Sequence, residues 1–179
     1  MEKLPGLSSQ ERLCPMISVI LEKLGLMASA DTNVQNKESV FLIFLDIDGV
    51  LHPNQNGSLV KEPLLQGIVS KGVPLRYVLS SSWRLTNSLE TLKQDLPTIA
   101  DSLIGVTPEI RHGYRDEEIA AYLKKAASDL NVEGYLVVDD DLSMFRAMPA
   151  NLYLTNRKIG LTPADIGAIN SRIAEALKR

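Results

Sequence analysis

Val40-Phe-Leu-Ile-Phe-Leu-Asp46-Ile-Asp48-Gly49-Val-Leu-His52-Pro53 is an apolar run cut off by two carboxylates on alternate positions. A stretch of this kind, rich in Phe, Ile, Leu and Val, reads as a strand buried on both faces, and such strands belong to parallel sheets. Folding alone does not ask for the two acids. Anionic side chains beside a core are tolerated only where a cation or hydrogen bonds offset their desolvation. The pair therefore reads as a divalent metal site. Gly49 lets the chain turn sharply away from the strand, so that both carboxylates project into a crevice. The plainer alternative is an acidic strand-to-loop turn, and the rest of the chain separates the two.

Three further apolar segments end in polar residues suited to phosphate chemistry. They are Leu75-Arg-Tyr-Val-Leu-Ser80-Ser81-Ser82-Trp83-Arg84, Gly134-Tyr-Leu-Val-Val-Asp139-Asp140-Asp141 and Asn151-Leu-Tyr-Leu-Thr155-Asn156-Arg157-Lys158. In an open parallel sheet, ligands bind beyond the carboxyl ends of the strands near a topological switch point, so residues that end different strands converge. Between these segments the spacing predicts a crossover helix over Glu62 to Ser70, a helix capped at Asn87-Ser-Leu-Glu90 and ending before Pro97, and a weaker strand over Ser102 to Val106. It also predicts an amphipathic helix over Asp116 to Leu130, and a closing helix from Thr162-Pro163 to Leu177. Strands alternating with helices give an α/β fold: a three-layer, doubly wound, mostly parallel sheet.

Taken together and in this order, four motifs between about Val40 and Leu161 resemble the haloacid dehalogenase (HAD) superfamily of aspartate-dependent phosphatases. The resemblance implies that Asp46 is the nucleophile and Asp48 the general acid and base. It implies a phosphate-binding serine at the end of the second strand, where Ser81 is favoured and Ser80 is the neighbouring alternative. A basic residue opening the helix before the fourth strand completes the third motif. Arg115 fits that place, although lysine is the commoner residue there, and Arg111 is the fallback. The acidic pair Asp139-Asp140 is the fourth motif, which the family uses to complete a magnesium site. The Ser-Ser-Trp-Arg, Arg-x-x-Glu-Ile and Gly-Leu-Thr pieces look most like a bacterial branch of HAD proteins associated with RNA-repair polypeptides.

The implied chemistry is physically coherent. A carboxylate that attacks phosphorus forms an aspartyl phosphate and divides one difficult displacement into two easier ones. The two anions repel, so a cation must bridge them, and Mg2+ commonly uses only one or two carboxylates plus substrate phosphate. Asp46 with Asp139 or Asp140 would suffice, and the family analogy adds the backbone carbonyl of Asp48. The Asp48 side chain is then free for proton transfer. Ser81 can donate to a phosphoryl oxygen, while Arg115 adds a fixed positive fork that restrains the acids. Each has a blander rival: a serine turn for Ser81, a surface ion pair for Arg115.

Around this centre, His52 is read as lining the substrate entrance. Arg84, with Arg157 and Lys158, is read as part of a positive rim that attracts phosphate esters. Trp83 is expected to pack under the following helix. Asp141 is expected to cap a short helical stretch from Leu142 to Ala147 rather than to act as a third ligand. His112 receives no role.

The chain is 179 residues long and 45% hydrophobic, enough for one sizeable core. A net charge of -3 argues against a dedicated nucleic-acid coat or a membrane-surface protein, while leaving room for a local basic rim at a polynucleotide end. The single Cys14 permits no internal disulfide, which points to a reducing cytoplasm; signal-independent export stays open. No signal peptide or membrane span is read, because the apolar stretch after Pro15 soon meets Glu22-Lys23. The polar segment Ser29 to Glu38 divides the chain into a helical extension and linker, 1–38, and a HAD-like domain, 39–179. Within the extension, Pro15 to Leu26 has helical spacing, and Ser8-Ser-Gln-Glu11 supplies a capping box.

The connections after the first and second motifs are too short for a sizeable cap domain. By family analogy a capless site is open to large substrates, such as phosphoproteins or nucleic-acid ends, or takes its lid from another subunit. Oligomeric state is not legible. Two rivals from other classes are a receiver-like module, whose acidic pair and phosphoacceptor come in the reverse order, and a non-catalytic phosphate-binding domain. Dehalogenase activity is disfavoured, because that branch lacks the second carboxylate supplied here by Asp48.

Overall fold

A computed structural model describes residues 37–178. The expected helix over Pro15 to Leu26, its capping box and nearly all of the polar linker lie outside the described residues. Five strands form the sheet: β1 (Glu38–Leu45), β2 (Leu75–Leu79), β3 (Leu103–Val106), β4 (Leu130–Asp139) and β5 (Leu152–Leu154). Their order is β3-β2-β1-β4-β5, and every pairing is parallel.

The β1 sequence explains why it is central. Val40 to Leu45 are all fully buried, and their side chains alternate between two separate cores. Phe41, Ile43 and Leu45 join Tyr77, Leu79, Leu136 and Val138 on one face. Helices α1 (Leu89–Asp95) and α3 (Pro163–Ala176) close that face with Leu92, Ile166, Ile169 and Ile173. Val40, Leu42 and Phe44 point the other way, where α2 (Arg115–Ala126) packs through Ile119, Tyr122 and Leu123. Two covered faces require a strand that is apolar on both sides, which is the pattern the sequence carries. Each buried aliphatic or aromatic side chain contributes about 1.5–3 kcal/mol of transfer free energy.

The chain runs outward from β1 through β2 to β3, then returns across β1 to β4 and β5. The direction of winding therefore reverses between β1 and β4, so the switch point lies between the ends of those two strands.

Several element boundaries differ from the sequence reading. The helix expected over Glu62 to Ser70 is a 3-10 turn, Glu62–Gly67, opened by Pro63 and left by extended Ile68. The buried Glu62 carboxylate there accepts hydrogen bonds from the Thr98 amide (2.7 Å) and hydroxyl (2.8 Å). Helix α2 stops at Ala126 instead of Leu130, and β4 begins at Leu130, four residues before Gly134, because Leu130 to Val132 pair with Glu38 to Val40. A pairing between segments 92 residues apart overrides local helical spacing. The stretch expected as helical from Leu142 to Ala147 is one 3-10 turn, Leu142–Met144. Between the strands the connections hold only short helices and turns, with no inserted cap domain among the described residues. No helix among them is long and apolar enough to cross a membrane.

Candidate active site

The ends of β1 and β4 bring Asp46, Asp139 and Asp140 together: one carboxylate oxygen from each lies within 4.8 Å of the others. Asp46 follows the last ladder residue of β1, and its amide bonds to the Val138 carbonyl (2.9 Å), which locks the two strand ends in step. Asp139 is completely buried and Asp46 nearly so. Gly49 has φ of 70°, and a Cβ there would collide with the Asp140 carboxylate. The glycine is thus required twice, by its backbone conformation and by the acid packed against it.

Arg115, the first residue of α2, is buried against this cluster. Its Nη1 donates to Asp139 Oδ2 and sits 3.1 Å from Asp46 Oδ2. Burial alone would lower the Arg115 pKa, but the Asp46 and Asp139 carboxylates more than reverse this and raise it. Burial pushes Asp139 up to about 6; Arg115 opposes that shift and Asp46 adds to it. Asp140 is also raised, mainly by desolvation, although Arg157 Nε lies 2.5 Å from its Oδ2 and pulls the other way. Arg111 is exposed and remote from these contacts, so the helix-opening position belongs to Arg115.

Buried polar atoms without a partner gather here. Among the described residues they are Asp46 Oδ1, His52 Nε2, Ser80 Oγ, Arg115 Nε and, away from the site, Ser70 Oγ. An orphaned polar atom normally costs about 1–3 kcal/mol. His52 Nε2 has Asp48 Oδ1 2.7 Å away, while Asp46 Oδ1, Ser80 Oγ and Arg115 Nε are left with polar capacity to spare beside the carboxylate group. The orphaned Asp46 oxygen beside two further carboxylates suits a hard cation that takes oxygen ligands. Asp48 is not in the carboxylate group.

At the end of β2, Ser80 and Ser81 are both fully buried. Ser81 Oγ accepts the Trp83 amide (3.5 Å) as the cap of the 3-10 turn Ser82–Leu85, which leaves its own O–H free to donate. The expectation for Arg84 is corrected. Its side chain is 6% exposed and bridges Thr107 O (3.0 Å), Ser80 O (3.0 Å), Ser81 O (2.8 Å) and Glu118 Oε2 (2.6 Å). A guanidinium so engaged is a bracket for the serine loop, with no free fork to offer a substrate.

His52 also departs from the reading as an entrance residue. It is 2% exposed, and its Nε2 lies 2.7 Å from Asp48 Oδ1. Trp83 packs against the core cluster that includes Leu92 of α1, and its indole N–H donates to Asp48 Oδ1 (3.3 Å). Sequence reasoning missed that contact, and the only available signal was the tryptophan's place directly after the serines. It missed Thr155 as well: the buried hydroxyl donates to Gly49 O (3.2 Å) and Asp139 O (3.3 Å), tying the ends of β5, β4 and the β1 loop together. Asp141 caps the Leu142–Met144 turn through Ser143 N (2.9 Å) and also meets Arg157 (2.6 Å). Arg157 is half exposed, and Lys158 is exposed at the rim.

A family model described as "HAD domain in Swiss Army Knife RNA repair proteins" matches residues 42–166, more than half of the chain and the whole of this site. No curated protein and no solved structure matches it.

Proposed function

We propose, because this chain belongs to the HAD domains of Swiss Army Knife RNA repair proteins, that it is a Mg2+-dependent phosphomonoester hydrolase working through an aspartyl phosphate on Asp46. Members of this superfamily are usually phosphatase-type hydrolases. The observation that carries the finer reading is the convergence of Asp46, Asp139 and Asp140 on one crevice, with an unpartnered Asp46 oxygen and Arg115 held between the acids. Magnesium held by these three carboxylates would neutralise repulsion between the nucleophile and the phosphoryl group.

The chain's own residues divide the remaining work. Arg115 holds the Asp46 carboxylate in direction through its ion pair with Oδ2. An Asp46 oxygen forms the bond to phosphorus while the bond from phosphorus to the leaving oxygen breaks. The leaving oxygen keeps that electron pair and takes a proton from Asp48. Asp48 then takes a proton from water as the water oxygen attacks phosphorus, which frees Asp46 and releases inorganic phosphate. Ser81 donates its hydroxyl proton to a phosphoryl oxygen, with Ser80 and its unpartnered Oγ as the alternative donor.

An open crevice supports a large substrate. Leu85, Ile110, Tyr114, Leu142, Met144 and Ile159 are exposed, and all lie on connections that leave the carboxyl ends of strands. An apolar surround of that kind suits the flank of a polymer better than bulk water. With the family's setting in RNA repair proteins, it supports the terminal phosphate of a nucleic-acid end as the first substrate to try. The test is phosphate release from 5′- and 3′-phosphorylated oligoribonucleotides and from p-nitrophenyl phosphate with Mg2+. We expect multiple turnover that falls at least 1000-fold, to about background, in Asp46→Asn. A single burst equal to the protein concentration would indicate a receiver-like module, and silence under Mg2+ and Mn2+ a binding domain; either overturns the reading.

A further inference from the structure

We infer that His52 is a positioning residue for Asp48 and that, with Trp83, it anchors one oxygen of that carboxylate and so sets the direction in which the other is presented. The inference rests on the phosphatase reading above.

Asp48 is the one acid of the first and fourth motifs that no guanidinium or ammonium group touches among the described residues. Its neighbours are neutral donors. The His52 side chain is 2% exposed, and its Nδ1 accepts the Gly57 amide at 3.1 Å. Gly57 can present that amide because it sits at φ of 76°, which a side chain would disfavour. A ring nitrogen that accepts an N–H carries no proton in the neutral ring, so the proton sits on the other nitrogen. That nitrogen, Nε2, lies 2.7 Å from Asp48 Oδ1 and has no other partner. The approach is oblique and falls short of an aligned hydrogen bond, as is common for catalytic contacts before substrate is bound.

Trp83 Nε1–H addresses the same oxygen at 3.3 Å, and the indole lies 5.7 Å from the imidazole between ring centres. Two buried or half-buried donors therefore converge on Oδ1. The other oxygen, Oδ2, has only the exposed Ser82 hydroxyl near it, at 3.5 Å. The arrangement makes Oδ1 the anchored acceptor and leaves Oδ2 the less engaged oxygen, the one we assign to proton transfer. Oδ2 then gives its proton to the leaving oxygen as that oxygen keeps the electron pair of the broken phosphorus–oxygen bond. It takes a proton back from the attacking water in the second step. His52 touches no reacting atom and acts only through Asp48.

The test exploits leaving groups. An alkyl phosphate such as β-glycerophosphate needs a proton on its leaving oxygen, whereas p-nitrophenyl phosphate, which departs as a stable anion, needs it far less. We expect His52→Phe to lose kcat/KM on the alkyl ester by about 10- to 100-fold and to lose at least tenfold less on the aryl ester, with KM within about twofold on both. His52→Gln, which keeps a donor at the Nε2 position, should recover most of the loss. Trp83→Phe removes the second donor from a half-buried site and should show the same bias, so it decides the matter where His52→Phe does not fold. Equal losses on both esters, or no loss on either, in an active protein would overturn the role of His52 and leave the phosphatase reading standing. A wild-type protein that hydrolyses neither these esters nor the phosphorylated oligoribonucleotides sinks both.

Discussion

Asp139 shows how a single carboxylate couples the site to the stability of the fold. Its pKa is pushed up to about 6 by burial, against an ordinary value of 3.8. The folded protein therefore binds more protons there than the unfolded chain between those two values. Stability from this group is full below about pH 4 and is lost as pH rises through about 6. At roughly 1.4 kcal/mol per unit, the metal-free protein should lose about 2–3 kcal/mol relative to Asp139→Asn between pH 4 and 7. Denaturant melts of both proteins in chelator check this, and a constant difference across that range would show the shift to be absent. Asp46, Asp48, Asp139, Asp140 and Arg115 were readable as candidates because acids and a guanidinium at strand and helix ends are chemically conspicuous. The contact of Trp83 with Asp48 was not, because it joins residues 35 apart, and that of His52 with Asp48 depends on how the loop after β1 turns back over four residues.

At the scale of elements, the loop after β2 depends on a buried bracket. Arg84 ties Ser80 O, Ser81 O and Thr107 O to Glu118 on α2, joining the ends of β2 and β3 to a helix on the far face. Arg84→Met takes the charged donor from the buried Glu118 carboxylate and from three carbonyls, leaving Glu118 only the Ile110 amide and Ser81 O only the amide of residue 84. Breaking one side of a buried pair costs about 3–5 kcal/mol, and a loss near 3 kcal/mol in denaturant unfolding is expected. A change under 1 kcal/mol would show the bracket to be dispensable. The sequence displayed the charge of Arg84 but not its partners, so it was assigned to a solvated rim. The same limit shortened β4: alternation in Leu130 to Glu133 becomes a strand only because Glu38 to Val40 lie alongside. Where the apolar run was long and unbroken, as in β1, no such context was needed.

At the scale of the molecule, residues 37–178 supply, among the described residues, a complete five-stranded sheet and a core on each of its faces. A chain beginning at Lys37 should therefore fold cooperatively, with Tm within about 5 °C of the full chain and with metal binding retained. A broad, non-cooperative melt would show that residues 1–36 complete the core. The sequence by itself determined the fold class, the parallel sheet and the strand ends that bear carboxylates, since burial on two faces and a charge beside a core each leave a local mark in composition. Only the tertiary structure decided which polar groups meet: that Arg115 lies between Asp46 and Asp139, that Arg84 is consumed by carbonyls, and that His52 stands behind Asp48. The Arg115 contacts join segments brought together by the crossing of the chain from β3 back to β4. Those of His52 with Asp48 and of Arg84 with Ser80 and Ser81 are made within single loops whose turns the fold fixes. The strength of each depends on distance, direction and exclusion of water. None of these three is encoded in the order of residues along any one segment.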